Sequence, residues 1–202
     1  MKSFWKQLFT WNKKKADDMR FLLLCCAIVF VMVFMFRRTI VQGGSMENTL
    51  HDGQNLISVC LPFGVVHHGD VVTAWLDEQD TMIIKRVVAC PGDTIEIRDN
   101  LVYRNGAILS EPYIKEPMNT EDLPPITMGE NAYFLMGDNR NRSYDSRQVG
   151  PFTYDALYSV IYLEHQAETL NVMLLLLFLV VLLAIFRVGE KAKEDIIEDY
   201  KL

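Results

Sequence analysis

Two uncharged apolar runs limit what this chain can fold into more than any other feature. "FLLLCCAIVFVMVFMF" fills positions 21–36 without a charge, a glycine or a proline, and "LNVMLLLLFLVVLLAIF" fills 170–186 with Asn171 as its one polar residue. Neither run carries the polar stripe of a helix packed against a soluble core, so both read as membrane-spanning helices. Sixteen residues of helix, 21–36, cover roughly 24 Å. The flanking "TIVQ" or a thinned bilayer must then supply the rest of a hydrocarbon core of roughly 30 Å.

Positive charges beside the spans give an orientation. Lys2, Lys6, Lys13, Lys14, Lys15 and Arg20 precede the first span, and only Arg37 and Arg38 follow it closely. The positive-inside rule places that N-terminus in the cytoplasm. Arg187, Lys191 and Lys193 put the C-terminal tail on the same side, although Glu190, Glu194 and Asp195 interleave with them. A basic start and an apolar run also describe a cleaved secretory signal, but no small-x-small cleavage site follows and two arginines do. The expected organisation is a basic cytoplasmic tail (1–20), an uncleaved transmembrane anchor (21–41), an extracytoplasmic domain (42–168), a second transmembrane helix (169–187) and a cytoplasmic tail (188–202).

The segment 42–168 holds 8 Lys and Arg against 19 Asp and Glu, a net charge of −11. Nucleic acid and anionic headgroups are bound mainly through basic residues, so nucleic acid is excluded as a partner. Cys60 and Cys90 fall in this segment, where an oxidising compartment permits one disulfide; two buried free thiols fit the sequence equally well. "NLISV", "DVVTAW", "TMIIKRVVA", "DTIEIR", "LVYR" and "AYFLM" are short β-branched and aromatic runs separated by Gly, Pro, Asp and Asn, the pattern of strands. In "LVYRNGAIL", Asn105-Gly106 predicts a hairpin on a type I′ turn. Residues 111–131, with four prolines, read as a long surface excursion. The fold class is mainly β: one domain of short antiparallel strands.

Chemistry has to come from three separated stretches: Ser45 in "VQGGSMENTL", Lys85 in "TMIIKRVVACPGD" and the polar run "GDNRNRSYDSRQVG" at 137–150. Taken singly, each has a plainer explanation. A serine after two glycines is a flexible connection, a lysine in an apolar run snorkels from an edge strand, and an Asp- and Asn-rich run is a solvated turn or a cation loop.

Taken together they resemble the bacterial type I signal peptidases over most of the chain. "SMENTL" keeps Ser45, Met46, Thr49 and Leu50 of the family's serine motif, and "HGDVV" at 68–72 reproduces a strand start. Lys85, Arg86, Val87, Pro91, Gly92 and Asp93 match the lysine motif. Gly137, Asp138, Asn139, Arg140, Ser143, Asp145, Ser146, Arg147 and Gly150 match the last and longest one.

The resemblance implies a signal-peptidase-like β domain held by two transmembrane helices in the cell membrane, with its catalytic side outside the cytoplasm. It implies a Ser-Lys dyad that needs no cofactor and no metal: Ser45 as nucleophile and Lys85 as general base. The base must be neutral, and Met82, Ile83, Ile84, Val87 and Val88 are residues that would desolvate it. By the same resemblance, Ser143 hydrogen-bonds the amine, while Asp145, Arg86 and Arg147 form an ion-paired scaffold around the site. Backbone N–H groups at Ser45 and Gly43 meet the oxyanion, and Val41 and Met46 contribute to shallow pockets for small side chains. Implied partners are exported preproteins, read through their signal peptides as an added strand, the lipid bilayer and, by proximity, the secretion translocon. Gly43 stands where many members have serine, Gln42 and Asn48 where proline is usual, and Ala89 where the family has glycine.

Three rivals are weighed against this reading. A self-cleaving Ser-Lys repressor would be cytoplasmic, which the spans oppose. A non-catalytic relative would not need both Ser45 and Lys85. A metal module on His51, His67 and His68 lacks a Cys or carboxylate at a spacing that completes a site.

Overall fold

The computed structural model describes residues 13–61, 65–163 and 166–199. The chain forms two compact units, a helical one from its two ends and a β unit over Met35–Gln166. The helical unit carries α1 (Lys13–Met35) and α3 (Gln166–Asp199). Asp18–Met35 and Leu170–Arg187 are long and apolar enough to cross a membrane. Arg187 Nη2 reaches Asp18 Oδ1 at 2.8 Å, an ion pair from one helix to the other.

α1 ends earlier than the sequence suggests. Phe36–Ile40 form strand β1, which pairs antiparallel with β2 (Asn55–Cys60) from Phe36↔Val59 to Ile40↔Asn55. "TIVQ" therefore belongs to the β unit and does not lengthen the span. A ladder to a distant strand outcompetes helix continuation here, and Thr39 and Ile40 are β-branched residues suited to it.

The remaining strands are β3 (Val71–Leu76), β4 (Thr81–Ala89), β5 (Thr94–Arg98), β6 (Leu101–Arg104), β7 (Ala107–Ile108), β8 (Leu123–Thr127), β9 (Ala132–Met136), β10 (Phe152–Thr153) and β11 (Leu157–Ile161). They build a seven-stranded sheet, β1-β2-β11-β3-β4-β9-β10, and a four-stranded sheet, β7-β6-β5-β8. Asn105 and Gly106 turn β6 into β7 with φ of 55° and 79°, the left-handed pair that this hairpin requires.

The proline-rich excursion is less irregular than its sequence. Leu123–Thr127 pair with β5 as an edge strand despite Pro124 and Pro125, and the register shifts between Ile95 and Ile97. An edge tolerates proline because one side of the strand needs no N–H donor.

Apolar faces pack into three clusters. One joins Val88, Ile95, Ile97 and Phe134; a second holds Val72, Val87 and Leu135; a third holds Val41, Met46, Leu50, Leu56, Val71 and Ile161. Cys60 and Cys90 are separate free thiols, and burial, with the Asp93 charge beside it, pushes the Cys90 thiol up to about 11.

Candidate active site

Ser45 sits in the loop after β1. That loop needs Gly43, whose φ of 79° lies in the left-handed region that favours glycine. The loop is held from the chain that follows β9. Asn139 donates its N–H to the Ser45 carbonyl (3.0 Å) and its Nδ2 to the Gly44 carbonyl (2.9 Å). Thr49 Oγ1 donates to Asp138 Oδ2. Gly137 has no room for a side chain, because a Cβ there would lie 2.5 Å from the Ser45 carbonyl oxygen.

Lys85 lies on β4 opposite Val72 of β3 and is 3% exposed. Its Nζ is 2.8 Å from Ser45 Oγ and 3.0 Å from the Ile84 carbonyl. Burial lowers its pKa from 10.5 to about 8; the Asp145 and Asp138 carboxylates oppose that shift and the Arg147 charge assists it. The amine is thus close to losing its proton near neutral pH while it touches the serine hydroxyl.

Asp145 organises the surroundings. It caps the short helix α2 (Ser146–Val149) through a capping box, accepting from the Arg147 N–H while the Gln148 side chain accepts the Asp145 N–H. Its Oδ2 also accepts from the Gly137 N–H (2.9 Å), Ser143 Oγ (2.7 Å) and Arg147 Nη2 (2.9 Å). With Arg147 Nε at 2.8 Å from Oδ1, this buried carboxylate is fully engaged.

The structure rearranges four sequence expectations. Ser143 donates to Asp145, whereas the Lys85 amine bonds Ser45 and the Ile84 carbonyl; the carboxylate is the stronger acceptor for that hydroxyl. Arg86 pairs with Asp138 (2.8 and 2.6 Å), not with Asp145. The Gly43 N–H donates to Asp52 Oδ1 at 2.8 Å, so it is already committed, while the Ser45 N–H has no acceptor among the described residues. Val41 and Met46 are 2% and 1% exposed and belong to the core, sharing Ile84 with the groove beside Ser45 and Lys85.

Asp138, Asn139 and Arg140 match the longest motif but carry no role that the resemblance implies, and all three are buried. Arg140 binds Glu111 through two bonds of 2.8 and 2.6 Å, and Arg86 stacks 4.0 Å over the Tyr113 ring. Lys115 pairs with Glu47 at 2.6 Å. The excursion after β7 is thereby stitched onto the serine loop, a long-range pairing that no local pattern announces.

Beside Ser45 and Lys85 runs a groove of about 510 Å³, lined by β1 residues Arg37–Ile40, β4 residues Thr81–Lys85 and Ser45. β1 is the sheet's outermost strand, and β9 pairs only with Arg86–Ala89 of β4. Among the described residues, two strand edges without a ladder partner therefore face the groove, and the antiparallel order of the intervening strands makes them run the same way. Ser58, Thr73 and Ser159 also line it. Thr39 bonds Ser58 (2.9 Å) and Thr73 bonds Ser159 (2.7 Å), so this lining is hydroxylic.

A buried lysine poised on a serine hydroxyl, at the head of a groove with open strand edges, is an arrangement suited to hydrolysing an extended chain. The family model described as "Signal peptidase, peptidase S26" matches residues 16–162, and the chain belongs to that family. It is 35% identical over 151 residues to a signal peptidase I of Bacillus licheniformis, covering 69% of this chain and 78% of that protein. To signal peptidase I P of Bacillus subtilis subsp. natto it is 36% identical over 143 residues, 65% of this chain and 77% of the relative. The crystal structure of a signal peptidase I from Enterococcus faecalis V583 matches with a TM-score of 0.43 at 30% identity, over 48% of this chain and 97% of that one.

Proposed function

We propose that the chain is a membrane-anchored serine endopeptidase that removes N-terminal signal peptides from exported preproteins. Family membership supports the reaction, and the 2.8 Å contact between Lys85 Nζ and Ser45 Oγ is the observation that supports giving the roles of base and nucleophile to these two residues. The neutral amine takes the Oγ proton as the oxygen attacks the scissile carbonyl. The Ser45 N–H, which has no acceptor among the described residues, meets the oxyanion that forms. The Lys85 ammonium then returns its proton to the leaving amine, and water repeats the sequence on the acyl-enzyme.

The substrate enters extended, between the free edges of β1 and β4, and closes the gap in the sheet. Main-chain hydrogen bonds supply affinity that tolerates many sequences. Helices α1 and α3 anchor the chain in the bilayer with both tails in the cytoplasm and the β unit outside, where a preprotein presents its cleavage site.

Ser45→Ala should abolish cleavage of a detergent-solubilised preprotein while the melting temperature is retained. Lys85→Arg should be inactive too, since a guanidinium keeps its proton at working pH. Turnover by either variant removes that residue from its role.

A further inference from the structure

His68, Cys90 and Asp93 take no part in the arrangement around Ser45. Sequence spacing offered the histidines no metal-binding companion, yet the fold brings the turn before β3 against the β4–β5 turn. There the imidazole, thiol and carboxylate present ligand atoms that all lie within 4.8 Å of one another. Cys90-Pro91-Gly92-Asp93 is a closed turn: the Asp93 N–H donates to the Cys90 carbonyl at 3.0 Å, and Gly92 has a φ of 87°. Two ligand-type residues separated by two positions on a tight turn form a knuckle of the kind that structural zinc sites use.

The carboxylate is already oriented. Asp93 Oδ2 accepts the Cys90 N–H at 2.8 Å and Oδ1 accepts Asn105 Nδ2 at 2.8 Å, the outer hydrogen bonds that fix a ligating carboxylate. His68 Nε2 is 2.5 Å from Oδ2, and its side chain is 45% exposed, so it is free to swing outward. Ligand atoms around a tetrahedral ion with bonds of about 2.0–2.3 Å lie roughly 3.3–3.8 Å apart. The present separations, from 2.5 Å up to 4.8 Å, bracket that range.

We propose that His68, Cys90 and Asp93 bind one divalent cation of the zinc class, with water in the fourth position on the exposed side of the imidazole. The mixed nitrogen, sulfur and oxygen set favours a borderline ion over calcium or magnesium, which take oxygen alone. Binding releases the Cys90 proton to solvent as the thiolate joins the ion. The ion clips the His68 turn, which leads into the seven-stranded sheet, to the turn through which the chain enters the four-stranded sheet. Occupancy therefore stabilises the β unit by mass action, independently of the peptidase reading.

The full-length chain in detergent, stripped with a chelator, is titrated with Co2+ and then challenged with Zn2+. One equivalent should give the visible bands of a tetrahedral ion together with a sulfur-to-metal charge-transfer band, both erased by Zn2+, and Zn2+ should raise the melting temperature. Cys90→Ser should lose the sulfur band although Cys25, Cys26 and Cys60 remain. His68→Ala, a change at a surface side chain, should weaken binding at least about tenfold, no less than loss of an outer hydrogen bond does. Absence of stoichiometric binding in the parent, a sulfur band that survives Cys90→Ser, or undiminished affinity in His68→Ala would each overturn the site.

Discussion

Lys85→Met should leave the chain inactive and more stable at neutral pH, with an advantage that fades as pH rises. In the parent, burial pulls the amine from 10.5 to about 8. Below pH 8 the amine is protonated in both folded and unfolded chains, and the folded state carries the whole penalty of a buried charge. Between 8 and 10.5 the unfolded chain holds more protons than the folded one, so parental stability climbs with pH. Methionine has no such titration, and every other group is common to both chains. A shift from 10.5 to about 8 makes the variant's advantage shrink by about 2.5 kcal/mol between pH 7 and pH 10. At pH 7 the charge penalty is roughly 3 kcal/mol and exceeds the bonds from Nζ to Ser45 and Ile84, each worth roughly 1 kcal/mol. Urea unfolding of both solubilised chains at the two pH values reads this double difference without any assay of activity. A difference that does not change with pH would refute a desolvated, low-titrating Lys85.

Other outcomes follow from the same geometry. With the Lys85 amine at about 8, kcat/KM for peptide cleavage should rise about tenfold per pH unit up to that value and then level; a limb still climbing steeply at pH 10 points to a solvated base. Arg147→Gln removes a cation that lowers the Lys85 pKa and should move the limb to higher pH, whereas an acid shift contradicts the assignment. Gly137→Ala places a methyl 2.5 Å from the Ser45 carbonyl oxygen and should cut kcat far more than it changes substrate binding; wild-type kcat would show that the loop position is not critical. Asp138→Asn leaves the buried Arg86 charge without its partner and should cost about 3–5 kcal/mol, measured by chemical unfolding; a loss below about 1 kcal/mol counts against the pair as a support.

What the sequence made legible was local. Uncharged runs announced the helices, short β-branched and aromatic runs between turn residues announced the strands, and Asn105-Gly106 announced its hairpin because two adjacent left-handed residues favour that dipeptide. The resemblance brought Ser45 and Lys85 into one site, and their contact at 2.8 Å is found. Features set by partners far along the chain were not legible. Phe36–Ile40 became a strand because Asn55–Cys60 pairs with it, and Leu123–Thr127 did so because β5 has an open side. Ser143 turned from the amine to Asp145 because a buried carboxylate is the stronger acceptor for its hydroxyl. Asp52 took the Gly43 N–H for a similar reason: an anion nine residues along the chain is invisible to a motif that stops at Leu50.

Helix α1 passes into β1 with no residue between them, Met35 ending one and Phe36 beginning the other. Five residues of extended chain, Phe36–Ile40, about 17 Å at the usual rise, then lead to the serine loop. On the proposed reading, the enzyme's own chain acts as a ruler. Under that proposal, a preprotein that left the bilayer beside α1 and ran along β1 in the same direction would be cut at a set contour length beyond the end of its apolar helix. A signal whose apolar helix ended too near the cut would hold its scissile bond short of Ser45, and contour length would then select the broken bond alongside side-chain identity.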